Sequence, residues 1–531
     1  MHLETQFVMF LTIVVLVAYA ASRIGVPYSI ALVLTGLVVS VLNVSLEGLS
    51  PLRLEPDLIL LTFLPGLLFE AGYHVDPRPL RAYLRPIVLL AIPGVLLSAV
   101  ITGVLVSIEI GIPILEALLF GVIISATDPV AVVALFKELG VDKRLGVILE
   151  GESLFNDGVA IVMFSILVGI VTGTQAFSLG GALLEFFVTV AGGGVLGLAA
   201  GFMIAELMTR TDDPLINIAL TTILAYGTYL LAAEILHEAV SPVIAVVVAA
   251  IIVGTYGSTG RFPARSHTTI IVFWEFIAFL INSAVFLLIG LDVEPTMLLD
   301  NLRPVLLAIV TVLITRAVVV YLFRLLINIK RPILPLKWAH IIYWGGLRGA
   351  VSIALALSLP VVLESRGLIR TMVFGYVLFS LIVQGLSVPI LLRRLGMSRR
   401  TEEQEQFETT LAEVAQAQAS LAAIDQMEQE HTLATGAASR LRSIYQQEAL
   451  IHQGQLDHLV LQNTNLGETS IQIARREIST ARRQALQRLL RRGMISEEVY
   501  AEATEKIDEF LHRGSVEAWS PVPDENVSGE G

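Results

Sequence analysis

Two short polar clusters stand inside otherwise apolar sequence: Ser-Ala-Thr-Asp-Pro-Val at 125–130 and Gly-Glu-Ser-Leu-Phe-Asn-Asp-Gly at 151–158. Asp128, Glu152 and Asp157 put carboxylates into stretches with the composition of membrane spans. A charge there costs about 2.5–3.5 kcal/mol on insertion scales, which makes each such residue a functional candidate by default. Pro129 has no N–H to donate to the carbonyl of Ser125 and disfavours helical geometry at Asp128. The first stretch is therefore a broken helix, with free carbonyls beside a carboxylate. The second reads as a regular helix, on which Glu152 and Asn156, and likewise Ser153 and Asp157, are four apart and share one face. Carboxylates, the hydroxyls of Thr127 and Ser153 and freed carbonyls are the oxygen donors that a small hard cation such as Na⁺ prefers. A carboxylate in such a place holds either that cation or a proton, and poorly both.

Other charges invite a plainer reading. Glu116, Glu185, Glu206 and Glu234 lie near span ends and read as interfacial or paired residues. Arg316, in Leu-Ile-Thr-Arg-Ala-Val-Val-Val, is a mid-span cation that needs a buried partner, and Glu152 is the candidate. Glu70, in Leu-Pro-Gly-Leu-Leu-Phe-Glu-Ala-Gly, either lines the approach to the site or makes a buried hydrogen bond. Arg348 sits in Trp-Gly-Gly-Leu-Arg-Gly-Ala, where Gly345, Gly346 and Gly349 permit an irregular helix or close packing. That segment matches the break at Pro129, as an inverted repeat requires, and discontinuous helices with polar midplane groups are how secondary transporters build ion sites.

The elements that must position these residues are membrane helices. The 531 residues are 55% hydrophobic and 15% charged, with mean hydropathy +0.76, a composition of an all-α polytopic membrane protein. Apolar stretches run at roughly 7–22, 27–43, 57–74, 83–107, 114–136, 145–171, 181–208, 214–236, 240–256, 267–291, 303–327, 338–361 and 368–392, about thirteen spans. Basic residues alternate between the loops. Arg23, Arg78, Arg81, Arg85, Lys137, Lys143, Arg144, Arg210, Arg261, Arg265, Arg324, Lys330, Arg331, Lys337, Arg393, Arg394, Arg399 and Arg400 mark one side. Arg53, Arg303, Arg366 and Arg370 mark the other. The positive-inside rule places the N-terminus outside and the C-terminus in the cytoplasm. The apolar run from Phe7 is an uncleaved span, since no basic segment precedes it.

From about residue 399 the composition changes. Residues 401–531 carry 22 acidic and 11 basic residues, so nearly all of the net charge of −12 belongs to this segment. Apolar residues spaced as on amphipathic helices around Leu411–Met427, Leu441–Leu461 and Ile471–Leu490 describe a soluble helical tail, with a disordered end after Trp519. The chain thus divides into a transmembrane domain at 1–398 and a cytoplasmic tail at 399–531. No cysteine is present, which removes disulfides and thiolate chemistry. Nothing in the charge distribution indicates nucleic acid, and no motif calls for a cofactor.

These motifs, together with Phe-Trp-Glu-Phe-Ile-Ala-Phe-Leu-Ile-Asn-Ser at 273–283, resemble in order those of the cation/proton antiporter-1 family. That group comprises sodium/proton antiporters, including prokaryotic NhaP-type proteins and animal and plant exchangers. The resemblance covers about residues 5–395. It implies thirteen helices in inverted repeats, with spans five and twelve discontinuous and crossing. It further implies a transport core at about 83–171 and 303–392, and a homodimer scaffold at about 7–74 and 181–291. By the family pattern Asp157 carries the ion and the proton and Asn156 is its partner. Asp128, Thr127 and Ser153 complete a Na⁺ site, and Glu152–Arg316 is a stabilising pair. Asn156-Asp157, rather than two aspartates, resembles the electroneutral branch.

The function this implies is exchange of Na⁺ (with Li⁺ or K⁺ as alternatives) for H⁺ across the cell membrane, 1:1, with both ions competing for Asp157 and Asp128. Two rival classes are an intramembrane aspartyl protease and a channel or sensor. The first lacks its Gly-x-Gly-Asp motif here, and the second would conduct without obligatory proton exchange.

Overall fold

The computed structural model describes residues 3–24, 27–41, 55–75, 77–174, 178–211, 213–236, 239–258, 264–293, 295–329, 333–397, 402–430, 432–462, 464–492, 494–496, 498–500, 502–504 and 507. Among these residues the regular elements are all helical, the one open form in which a backbone satisfies itself without water. The chain separates into two compact units, Met1–Ser398 and Arg399–Gly531.

In the first unit the helices are α1 (Leu3–Ile24), α2 (Tyr28–Val41), α3 (Leu58–His74), α4 (Pro79–Ile110), α5 (Ile114–Ile123), α6 (Val130–Leu139), α7 (Lys143–Val171), α8 (Leu179–Met208), α9 (Pro214–Ile235), α10 (Pro242–Ser258), α11 (Ala264–Asp292), α12 (Leu302–Asn328), α13 (Leu336–Trp344), α14 (Ala350–Leu357) and α15 (Arg366–Arg394). Seven helices among the described residues are long and apolar enough to cross a membrane unaided, and five shorter apolar helices of 10–17 residues accompany them. Many of their large side chains point outward: Leu184, Val195 and Met203 on α8 are each about two-thirds exposed. An apolar surface on all sides suits a helix with lipid as its neighbour.

Two apolar stretches are interrupted. Between α5 and α6, residues 124–129 leave the helix, and between α13 and α14, residues 345–349 do the same. Three of the long helices change pitch without breaking, α9 in π-helical turns at Ile223–Gly227 and Leu231–Ile235. In α4 the π-helical turn Leu90–Gly94 contains Pro93, and in α15 a π-helical turn spans Ser380–Gly385. Such turns relieve a missing or displaced backbone hydrogen bond and often fall at functional sites.

Away from the breaks, packing is close. A Cβ on Gly36 of α2 would collide with the backbone carbonyl of Leu287 on α11, so backbone meets backbone there. This is the small-residue contact by which membrane helices associate, since lipid gives them no hydrophobic drive.

In the second unit, α16 (Glu402–Gln429) and α17 (Thr435–Gln462) form a hairpin around Phe407, Val414 and Leu456. Arg442 bridges Asp425 at 2.7 Å and Glu428 at 2.6 Å, and His452 lies 2.9 Å from Glu413. Helix α18 (Thr464–Arg491) follows. The segment after Trp519 lies outside the described residues.

Candidate functional site

The two interrupted segments cross, and each completes the other's backbone. The N–H of Asp128 donates to the carbonyl of Leu347 at 2.8 Å. Arg348 Nε donates to the carbonyl of Ile124 at 2.5 Å, and its Nη1 donates to the carbonyl of Gly346. Ser352 Oγ donates to the carbonyl of Ile123 at 2.9 Å, and the Arg348 N–H donates to Ser380 Oγ at 3.2 Å. Arg348 thus neutralises carbonyls at the C-terminal ends of α5 and α13 together, where helix dipoles concentrate negative charge. At the opposite polarity, Asp128 Oδ1 accepts from the Val130 N–H at 3.1 Å and caps α6. A Cβ on Gly349, ahead of α14, would lie against the Asp128 carboxylate. No residue larger than glycine fits there without displacing the acid.

Three carbonyls around the break have donors: those of Ile123 and Ile124 are taken by α14 and by Arg348, and that of Thr127 accepts from Ser153 Oγ at 2.5 Å. A buried carbonyl without a partner costs about 1–3 kcal/mol, so the fold supplies donors.

Helix α7 runs beside the crossing. Asn156, fully buried, donates through Nδ2 to Thr127 Oγ1 at 2.6 Å and accepts the Thr127 N–H at 3.4 Å. Glu152, 1% exposed, accepts from Arg316 Nη1 at 2.7 Å, and Arg316 Nη2 donates to the carbonyl of Ile342 at 3.2 Å. The Arg316 guanidinium also fills the space beside Gly346, where a Cβ would crowd it. Asp157 differs from all of these: among the described residues it has no hydrogen-bond partner.

A cavity of about 320 Å³ joins these groups. Thr127, Asp128, Ser153 and Asp157 line its inner end, and Glu70, His74, Lys137, Glu150, Glu275 and Asn282 line the remainder. Glu70 is therefore a wall residue of the cavity, in ion-pair range of His74 at 3.2 Å. Of the residues singled out from sequence, Asp128, Thr127, Ser153, Asp157, Glu70, Pro129 and Gly349 meet at the cavity. Asn156, Glu152, Arg316, Arg348, Gly345 and Gly346 stand behind it, holding its walls. Sequence reading missed His74, Glu150 and Glu275 as lining groups, Ser352 as a donor to the first break and Ser380 as an acceptor from the second. Glu275 and Asn282 carried a signal, since both lie in the 273–283 motif seven residues apart, two turns along one face.

An all-helical membrane protein with two crossed, interrupted helices and a carboxylate-lined cavity at the crossing has the architecture of a secondary transporter. The family profile described as "Sodium/hydrogen exchanger, transmembrane" matches residues 9–394. The chain is 46% identical to the Na⁺/H⁺ antiporter ApNhaP of Aphanothece halophytica, over 70% of each protein. It is 36% identical to the Na⁺/H⁺ antiporter NhaG of Bacillus atrophaeus over 92% of this chain and 94% of that one, a span that includes the helical tail. The fold matches the sodium proton antiporter MjNhaP1 of Methanocaldococcus jannaschii with a TM-score of 0.63 at 21% identity, covering 74% of this chain and 99% of that one. The chain belongs to the sodium/hydrogen exchanger family and is a multi-pass membrane protein.

Proposed function

We propose that this protein is an antiporter exchanging Na⁺ for H⁺ by alternating access, with the two ions competing for Asp157. The observation that carries the reading is the cavity lined by Thr127, Asp128, Ser153 and Asp157 at the crossing of the broken helices. The relatives' names supply the ion pair: ApNhaP and NhaG are Na⁺/H⁺ antiporters. Asp157 and Asp128 carboxylates and the hydroxyls of Thr127 and Ser153 are the oxygen ligands for the transported cation, and Asn156 positions Thr127. When Na⁺ leaves, a proton takes its place on Asp157. The pairing of Glu152 with Arg316 holds α7 against α12 through the cycle.

Partner assignments favour 1:1 exchange. Glu152 is tied to Arg316 and Asp128 to the Val130 N–H, while Asp157 has no hydrogen-bond partner among the described residues. One acid is then left to trade a proton for Na⁺, and the carrier crosses with equal charge in both directions.

Thirteen spans, an outside N-terminus and a cytoplasmic C-terminus in the cell membrane follow from the basic-residue alternation. The cavity reaches His74, which precedes the basic residues Arg78 and Arg81, and Lys137, which precedes Lys143, so its mouth faces the cytoplasm. The core at about 83–171 and 303–392 moves against a scaffold at about 7–74 and 181–291, through which two copies form a homodimer. Residues 399–531 form the cytoplasmic tail.

Purified protein in proteoliposomes tests this reading. Imposed Na⁺ should drive proton movement, and with a valinomycin-clamped K⁺ potential and a fixed pH gradient the Na⁺ gradient at equilibrium should ignore the potential. A net transported charge would respond at about 2.3 kcal/mol per 100 mV. A shift with potential would overturn the 1:1 stoichiometry, and Na⁺ flux without proton movement would overturn antiport.

A further inference from the structure

The outer part of the cavity holds a charge arrangement that the exchange reaction itself does not use. Glu70 on α3, Glu150 on α7 and Glu275 on α11 line it against one ammonium, Lys137 on α6. The rim therefore carries an excess of two negative charges when the His74 imidazole is neutral. His74, the last residue of α3, stands between two of these carboxylates. Its Nδ1 lies 2.9 Å from the carbonyl oxygen of Glu70 and 3.2 Å from Glu70 Oε1, and its Nε2 lies 3.5 Å from Glu275 Oε1.

The backbone contact fixes the imidazole's tautomer. A carbonyl only accepts, so Nδ1 carries a hydrogen in both protonation states, and Nε2 is the nitrogen that gains or loses a proton. With Nε2 protonated, His74 bridges the carboxylates of α3 and α11. With Nε2 bare, a lone pair faces Glu275 and the bridge is gone. The other titratable groups facing His74 are Tyr73, whose ring meets the imidazole edge-on at 6.1 Å, and His267, which pairs with Tyr73 Oη at 2.8 Å. Tyr28 on α2 lines the same cavity further in.

We propose that His74 is a proton-operated clasp on the cavity's carboxylates and sets how strongly they draw Na⁺ from that side. Protonating Nε2 halves the rim's excess negative charge and occupies Glu70 and Glu275. Losing that proton restores both carboxylates to the entering cation. Among the described residues no three carboxylates or imidazoles converge as a resident metal site would need, so the rim attracts Na⁺ without caging it. A second proton–Na⁺ competition thus lies ahead of the one at Asp157, on the imidazole held between Glu70 and Glu275. His74 acts on the approach and is a positioning residue rather than a ligand of the transported ion.

This inference rests on the Na⁺/H⁺ reading above, and the same preparation separates the two. Everted membrane vesicles with the cytoplasmic face outward give the KM for Na⁺ from pH 6 to pH 9, read by a pH-gradient dye. The side chains involved are partly exposed, with His74 at 31% and Glu275 at 59%, so effects of roughly two- to fivefold are expected, as for an exposed ion pair. His74→Gln should lower KM relative to the parent at pH 6 and match it at pH 9. His74→Lys, with a fixed charge, should do the reverse: match at pH 6 and raise KM at pH 9. Glu275→Gln should raise KM at pH 9 and flatten the profile. Ratios to the parent that do not vary with pH, or His74 variants that shift KM in the same direction throughout, would overturn the clasp. Absence of Na⁺-driven proton movement in the parent protein would instead overturn the antiport reading.

Discussion

At the break between α5 and α6 the chain places Asp128, and at the break between α13 and α14 it places Arg348. The cation is 3% exposed, and its guanidinium donates to the carbonyls of Ile124 and Gly346. The acid gives one oxygen to the Val130 N–H and keeps a face on the cavity. Helix ends explain the division: positive charge belongs at C-terminal carbonyls and negative charge at N-terminal N–H groups. Arg348 sits at the first kind of end and Asp128 at the second. The comparison teaches that crossing two broken helices lets one charge be absorbed in holding the crossing, which leaves the other open to an ion.

Substitutions at these two residues give the largest contrast. Arg348→Met strips donors from buried carbonyls at both breaks and should cost roughly 3–5 kcal/mol, the range for removing one partner of a buried charged network. Asp128→Asn keeps an acceptor for Val130 and should unfold in detergent near the parent temperature while losing Na⁺-driven proton movement. Equal destabilisation by both would erase the distinction between the breaks.

The second buried arginine sharpens it. Glu152→Gln and Arg316→Ala should each lower stability by roughly 3–5 kcal/mol, and the double change by less than their sum. Strict additivity in thermal unfolding would mean that the two charges are not coupled. A smaller effect is expected at Gly349. Alanine there presses on the Asp128 carboxylate and should cost about 1–3 kcal/mol, as overpacking does. Gly367→Ala, where an added Cβ meets nothing within 4 Å, should stay near the parent. Smallest is Ser352→Ala, which removes one hydrogen bond to the carbonyl of Ile123 and should cost about 1 kcal/mol.

Sequence alone displays the acidic break plainly, because a proline after an aspartate inside an apolar run has few other uses. Arg316 and Glu152 were also legible as a pair, since an unmatched mid-span cation demands an anion. The basic break was legible only as three glycines around an arginine. What those residues touch is decided by how α5 and α13 cross, and no local pattern encodes that. For the same reason Ser352 and Ser380 looked like ordinary helix residues. Their hydroxyls matter only because the Ile123 carbonyl and the Arg348 N–H arrive beside them from distant segments. The pairing of Glu275 with His74 was hidden for a related cause: the cavity that makes them neighbours is formed by α3 and α11, about two hundred residues apart in the chain.

The central claim is that Asp157, the acid beside the crossing without a hydrogen-bond partner among the described residues, carries Na⁺ and H⁺ in turn. Purified Asp157→Asn in proteoliposomes tests it most directly, with Na⁺-driven proton movement read alongside thermal unfolding. The account predicts a folded, inserted protein with no Na⁺-dependent proton movement across the whole pH range. Exchange at the parent rate in that variant would contradict it and remove Asp157 from the transport site.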